Sequence, residues 1–282
     1  MQKSEIAKQV RPITLEDAMA DLELLRAKWK GASLNGLSNA GLRFLDHFTF
    51  EHRLAVRGKM KLNFFEFFRS WESFRERNYI KNLIRFYKND ESPKTIYKIY
   101  NLGICCVHAF RPVVALQIYD RFKPTHILDP CAGWGGRAMA ASVFGAAYTG
   151  YDSNANLGSA YERMSQILNI NLLIGDSLKI DFAKIKKYDM VMTSPPYYDL
   201  ERYECAPHYP SNNEMDEHFY FPLFDALATH LNPNGWIVLS INQKLLDRVF
   251  SILFGPPHIV IPLPAYQRTN GYSESIYAWQ KG

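Results

Sequence analysis

Apolar residues recur along this chain in two rhythms, and the change between them falls near residue 122. From Thr14 to Phe122 the spacing is helical. Thr14 and Asp17 predict a capping box ahead of "LEDAMADLELLRAKWK", and "GASLNGLSNAG" (31–41) breaks the pattern as a loop. The aromatic- and arginine-rich stretch 63–89 predicts one or two amphipathic helices, and Pro93 and Pro112 stand where further helices begin.

From Thr125 short apolar runs alternate with helical ones. "THILD", "AYTGYD", "NLLIGD", "YDMVMTS" and "GWIVLSIN" predict strands, with helices in "WGGRAMAASVFG", "NLGSAYERMSQILN" and "DEHFYFPLFDALATHL". This alternation predicts βαβ units, hence an α/β, doubly wound, Rossmann-like parallel sheet. "HIVIPLPA" and "ESIYAWQK" predict an antiparallel pair at its C-terminal edge. The expected division is a helical N-terminal region, 1–108, and a sheet domain, 109–282.

Composition changes this picture little: 47% apolar and 22% charged residues are ordinary for a globular chain of 282 residues. No apolar run reaches the roughly 18 residues of a membrane span, and Met1 to Val10 is too polar for a secretory signal. Cys105, Cys106, Cys131 and Cys205 lack metal-binding spacing, so buried free thiols in a cytoplasmic protein are expected. Charge is more informative, because it is uneven. Residues 41–98 hold 13 Lys+Arg against 7 Asp+Glu, whereas residues 193–282 hold 5 against 9. A basic segment beside a mildly acidic one suits a polyanion-facing region.

Candidate chemistry begins where the first strand ends, in "ILDPCAGWGGR" (127–137). Glycines between a strand and a helix let a ligand approach the backbone. Asp152, closing the next strand, is placed to accept hydrogen bonds from ribose hydroxyls. Asp129 ahead of Gly133 and Gly135 departs from the dinucleotide fingerprint. It suits a ligand with a cationic amino-acid end, such as S-adenosylmethionine.

"LDPCAGWGGR" resembles the D-P-F-x-G-x-G loop of S-adenosylmethionine-dependent DNA amino-methyltransferases, and "TSPPY" resembles their (D/N/S)-P-P-(Y/F) motif. The resemblance runs from Phe110 to the C-terminus. It implies that Asp129 lies near the methionine amino group above the loop of Cys131, Gly133 and Gly135. It also implies Asp152 on the ribose, Asp176 and Ser177 of "IGDS" at the adenine, and Phe110 and Arg111 toward the methionine end. Cys131 stands where the family usually has Phe, and Trp134 is a candidate to replace the missing ring.

In that family the target is an exocyclic amine, whose lone pair is delocalised into the base. Acceptors aimed at its two N–H groups draw the nitrogen toward a tetrahedral form. Ser194 Oγ and the Pro195 carbonyl are the candidates, with Pro195 and Pro196 restricting the chain. Tyr197 offers a face for a flipped base. Tyr198, Arg202 and Tyr203 either line the pocket or pack the loop. Serine before the prolines favours N4 of cytosine over N6 of adenine. DNA contact is expected from Arg69, Arg75, Arg77, Lys81, Arg85 and Lys88, because few residues follow the catalytic motif. The implied function is a DNA methyltransferase, of restriction–modification or viral type. An RNA base, a protein amide, or an inactive nucleic-acid-binding subunit are the alternatives.

Overall fold

The computed structural model describes residues 1–31, 36–58, 60–198, 209–263 and 274–282. The N-terminal helices are α1 (Lys3–Val10), α2 (Leu15–Lys30), α3 (Leu42–Leu54), α4 (Phe64–Arg69), α5 (Trp71–Arg75), α6 (Asn78–Phe86) and α7 (Pro93–Gly103). The Thr14 cap forms as expected: its hydroxyl accepts from the Asp17 N–H, and Asp17 returns a bond to the Thr14 N–H. Segment 63–89 forms three short helices rather than one or two, because Ser70 and Arg77 each interrupt the helical path.

The second rhythm yields α8 (Pro112–Phe122), β1 (His126–Asp129), α9 (Gly136–Phe144), β2 (Ala147–Asp152), α10 (Gly158–Leu168), β3 (Asn171–Ile174) and β4 (Met190–Thr193). After them come α11 (Asn212–Met215), α12 (Phe221–His230), β5 (Trp236–Asn242), α13 (Gln243–Leu245), α14 (Ser251–Phe254), β6 (Ile259–Pro262) and β7 (Glu274–Gln280). A π-helical turn, Asp216–Tyr220, leads into α12. Pro222 lies just inside that helix, where its missing N–H interrupts the regular ladder.

Among the described residues, seven strands form one sheet in the order β3-β2-β1-β4-β5-β7-β6. Neighbours among β1 to β5 are parallel, while β7 runs antiparallel to both β5 and β6. This is a doubly wound sheet with the expected antiparallel edge. Chain connections leave β1 and β4 toward opposite edges, so their carboxyl ends open at the switch point where such sheets bind ligands.

Strand alternation divides the core. Ile127, Met190, Met192, Val238, Ile276 and Ala278 face one side, and Leu128, Val191, Ile237, Leu239, Tyr277 and Trp279 face the other. On the first side, Leu22, Leu25, Phe44 and Leu45 of α2 and α3 join Ala138 and Met164 in one cluster. The N-terminal helices thus share a core with the sheet across residue 108. A separate aromatic cluster, including Phe64, Phe67, Trp71 and Tyr100, unites α1 with α4 to α7. Among the described residues no helix is long and apolar enough to cross a membrane.

Candidate functional site

A cleft of about 1210 Å³ lies over the carboxyl ends of the strands, with the N-terminal helices as its opposite wall. Cys131, Gly133, Asp152, Asp176 and Ser177 border it on the sheet side, with Phe110 and Arg111 at one end. Ser194, Pro195, Pro196, Tyr197 and Tyr198 border it from the end of β4.

The glycine loop is held from several directions. The Cys131 N–H donates to Asp129 at 3.1 Å, and the Cys131 carbonyl accepts from Arg137 Nη2 at 2.6 Å. The Gly133 N–H donates to Asp152 Oδ2 at 2.8 Å, and its carbonyl accepts from the Tyr161 hydroxyl at 2.6 Å. Gly135 has φ +81°, a left-handed conformation in which a β-carbon would also meet the Met164 methyl. Gly136 lies against the Phe110 carbonyl with no room for a β-carbon, which fixes residue 110 over the start of α9.

Asp129 lies beneath the glycine loop rather than on the cleft surface. It is 0% exposed and does not border the cleft; nor does Gly135. Its carboxylate accepts from Arg137 Nε and from the Tyr148 hydroxyl, both at 2.6 Å. Arg137, missed in the sequence, borders the cleft, and its guanidinium lies 5.2 Å from the Phe110 ring. Burial acts to lower the Arg137 pKa, but the charge and hydrogen bond of Asp129, with Tyr148 and Tyr119, together outweigh it and hold the pKa above its ordinary value. The pair is a buried ionic brace beneath the loop. Trp134 is buried and borders the cleft beside Cys131.

Asp152 and Asp176 are the carboxylates that border the cleft beside the glycine loop. Asp152 accepts one N–H on each oxygen, from Gly133 and from Asn154 at 2.9 Å, which leaves further lone pairs. Burial raises its pKa above the ordinary carboxylate value. Asp176 caps the turn Ser177–Lys179 through the Leu178 N–H, at 3.0 Å. Ser177 ties that turn to the glycine loop by donating to the Pro130 carbonyl at 2.6 Å.

At the end of β4 the hydroxyls form a directed chain. Tyr197 donates to the Ser240 carbonyl at 2.8 Å, and its hydroxyl lies 3.3 Å from Ser194 Oγ. A phenol has one proton, so Ser194 is the donor in the second contact, and its oxygen lone pairs are left to accept. The Pro196 carbonyl is taken by the Tyr220 hydroxyl. Tyr198 has φ +44°, rare for a non-glycine residue. Its hydroxyl donates to Asp216 at 2.6 Å and accepts from Arg248 at 3.2 Å.

The remaining candidates lie elsewhere. Arg202 and Tyr203 fall outside the described residues, as does Cys205. Arg69, Arg75, Arg77, Lys81, Arg85 and Lys88 do not border the cleft. Arg75 pairs with Glu91 and Glu72, Lys81 pairs with Glu76, and Arg77 lies over Phe74. Counting charge along a segment cannot reveal such pairing. Cys105, Cys106 and Cys131 are half-buried rather than buried.

No family model and no curated protein matches this sequence. Several solved structures resemble it at low identity. TrmN from Thermus thermophilus is 17% identical, aligned over 61% of this chain and 49% of its own, with a TM-score of 0.43. RsmC from the same organism, a 16S rRNA N2 G1207 methyltransferase solved with AdoMet and guanosine, is 16% identical. That alignment covers 62% of this chain and 44% of its own, at a TM-score of 0.42. The M protein of the type I restriction enzyme EcoKI is 15% identical over 99% of this chain and 66% of its own, at 0.48. This chain therefore spans less than two thirds of each of these three.

Proposed function

We propose that this chain transfers the methyl group of S-adenosylmethionine to the exocyclic amine of a nucleic-acid base. DNA is the substrate to test first, and N4 of cytosine the favoured atom. The observation that carries the reading is the hydroxyl chain at the end of β4. Because Tyr197 donates to Ser240, Ser194 presents acceptor lone pairs beside the Pro195 carbonyl. Two acceptors side by side suit an amine with two N–H groups.

The cleft floor suits the methyl donor. Asp152, with lone pairs left beyond its two backbone bonds, would take the ribose hydroxyls. Asp176 would take the adenine amino group, and the braced loop from Cys131 to Gly133 would lie under the methionine portion. The donor's sulfonium supplies an electrophilic methyl carbon. Ser194 and Pro195 hold the amine so that its lone pair points at that carbon, and the surplus N–H proton leaves to water. Electrostatic positioning of this kind needs no strong base. Tyr197, its ring fixed through its hydroxyl, gives the flipped base a face worth roughly 1–3 kcal/mol. Asp129 acts beneath the loop, through Arg137, rather than on the ligand.

The test is transfer of label from methyl-labelled S-adenosylmethionine to nucleic acid by wild-type and Ser194→Ala protein. The reading expects transfer by the first and a loss of at least tenfold in the second. Equal transfer by both refutes it.

A further inference from the structure

The cleft wall opposite the sheet carries a charge arrangement that holding the donor and the amine leaves unused. Asp46, buried on α3, forms ion pairs with two arginines, Arg11 just beyond α1 and Arg53 near the end of α3. Both guanidiniums lie against the Phe50 ring, at 4.7 and 5.6 Å, and Arg11 also lies 5.9 Å from Tyr97. One carboxylate thus serves two cations, which leaves a net positive charge. The Arg53 side chain is 8% exposed, and its Nε has no hydrogen-bond partner among the described residues. Burial pushes its pKa down to about 10, so it stays charged at neutral pH. All three residues border the cleft that holds Ser194, and Arg111 and His108 extend the same wall. The facing floor is acidic, with Asp152 and Asp176.

A buried cation that is only half compensated is costly unless an anion completes it. Arginine forks match the oxygens of a phosphate. The anion must also enter the cleft alongside a base that reaches Ser194. We propose that Arg11, Asp46 and Arg53 form a phosphodiester-binding site for the nucleic-acid strand that presents the target base. The proposal rests on the methyl-transfer reading for the identity of that strand. It replaces the exposed basic helices with a site inside the cleft. The methyl donor's own carboxylate is the other anion that enters there, and the experiment separates the two.

Binding of single-stranded DNA and RNA oligonucleotides is measured by fluorescence anisotropy across a salt series, and binding of S-adenosylmethionine by calorimetry. The variants are Arg11→Gln, Arg53→Lys and, as a control outside the cleft, Arg26→Gln. Arg11→Gln is expected to weaken oligonucleotide binding about tenfold and to reduce the salt slope by about one. Arg53→Lys keeps charge but loses the fork, and should weaken binding several-fold. All three should keep S-adenosylmethionine affinity within about twofold. Arg11 is 40% exposed, so its variant tests the site even if Arg53→Lys fails to fold. Wild-type protein that binds neither nucleic acid overturns the substrate reading and this site together. Wild-type binding that Arg11→Gln leaves unchanged overturns this site alone. Loss of S-adenosylmethionine affinity with oligonucleotide affinity intact also overturns it, and assigns the cations to the donor.

Discussion

Tyr197 gives its only hydroxyl proton to the main-chain carbonyl of Ser240, 2.8 Å away across the neighbouring strand. This bond fixes which way the Ser194 proton points. Removing it in Tyr197→Phe keeps the aromatic face but frees Ser194 to turn. The lost bond is worth about 1 kcal/mol, so the single-turnover methylation rate should fall roughly five- to tenfold. Tyr197→Ala should fall further, because the stacking face goes as well. A Phe variant as fast as wild type would show that the hydroxyl chain is not used.

If Asp152 holds the donor's ribose as proposed, donor binding should depend on pH. Burial raises its pKa, and the ionised form is the one that accepts from ribose. S-adenosylmethionine affinity should therefore be full above the raised value and fall as pH drops through it, sooner than an ordinary carboxylate would allow. For stability the sign is opposite. The folded carboxyl holds its proton more tightly than the unfolded one, so this group's contribution is present below the ordinary range and lost as pH rises through the raised value. Asp152→Asn should bind the donor more weakly and flatten the acid limb of its affinity. Calorimetric titration across pH checks both.

The Asp129–Arg137 brace predicts non-additive losses. Removing one partner strands a buried charge and should cost about 3–5 kcal/mol. Arg137→Met should thus unfold at markedly lower urea. Asp129→Asn with Arg137→Met together should cost less than the sum of the two single changes. Additive losses in urea denaturation would mean that the two groups are not coupled.

Gly136 tests the packing of residue 110 over the loop. A β-carbon there runs into the Phe110 carbonyl oxygen, which is backbone and gives way poorly. Gly136→Ala should destabilise the chain by about 1–3 kcal/mol and weaken donor binding through the displaced loop. A thermal melt matching wild type would contradict that packing.

What the sequence disclosed was local. Ser194 to Tyr197, the glycine loop, Asp152 and Asp176 lie at strand ends, and short-range patterning alone puts strand ends together at one edge of a parallel sheet. What stayed hidden depends on contacts distant in sequence. The pairing of Asp129 with Arg137 is one such contact, although a lone arginine ahead of "AMAAS" is a usable sign of a buried cation. Asp46 meets Arg11 only through the packing of α1 against α3, and no spacing announces that. Arg75 and Lys81 add to the basic count of their segment, yet Glu91 and Glu76 pair with them.

The most direct measurement of the central claim is the position of the transferred methyl group. Wild-type protein is incubated with methyl-labelled S-adenosylmethionine and separate pools of duplex DNA, single-stranded DNA and RNA, and the digested nucleosides are identified by mass spectrometry. The account predicts label on an exocyclic nitrogen, with N4-methylcytosine from DNA as the leading product. Label on a ring carbon, or no label in any pool despite bound donor, would contradict it.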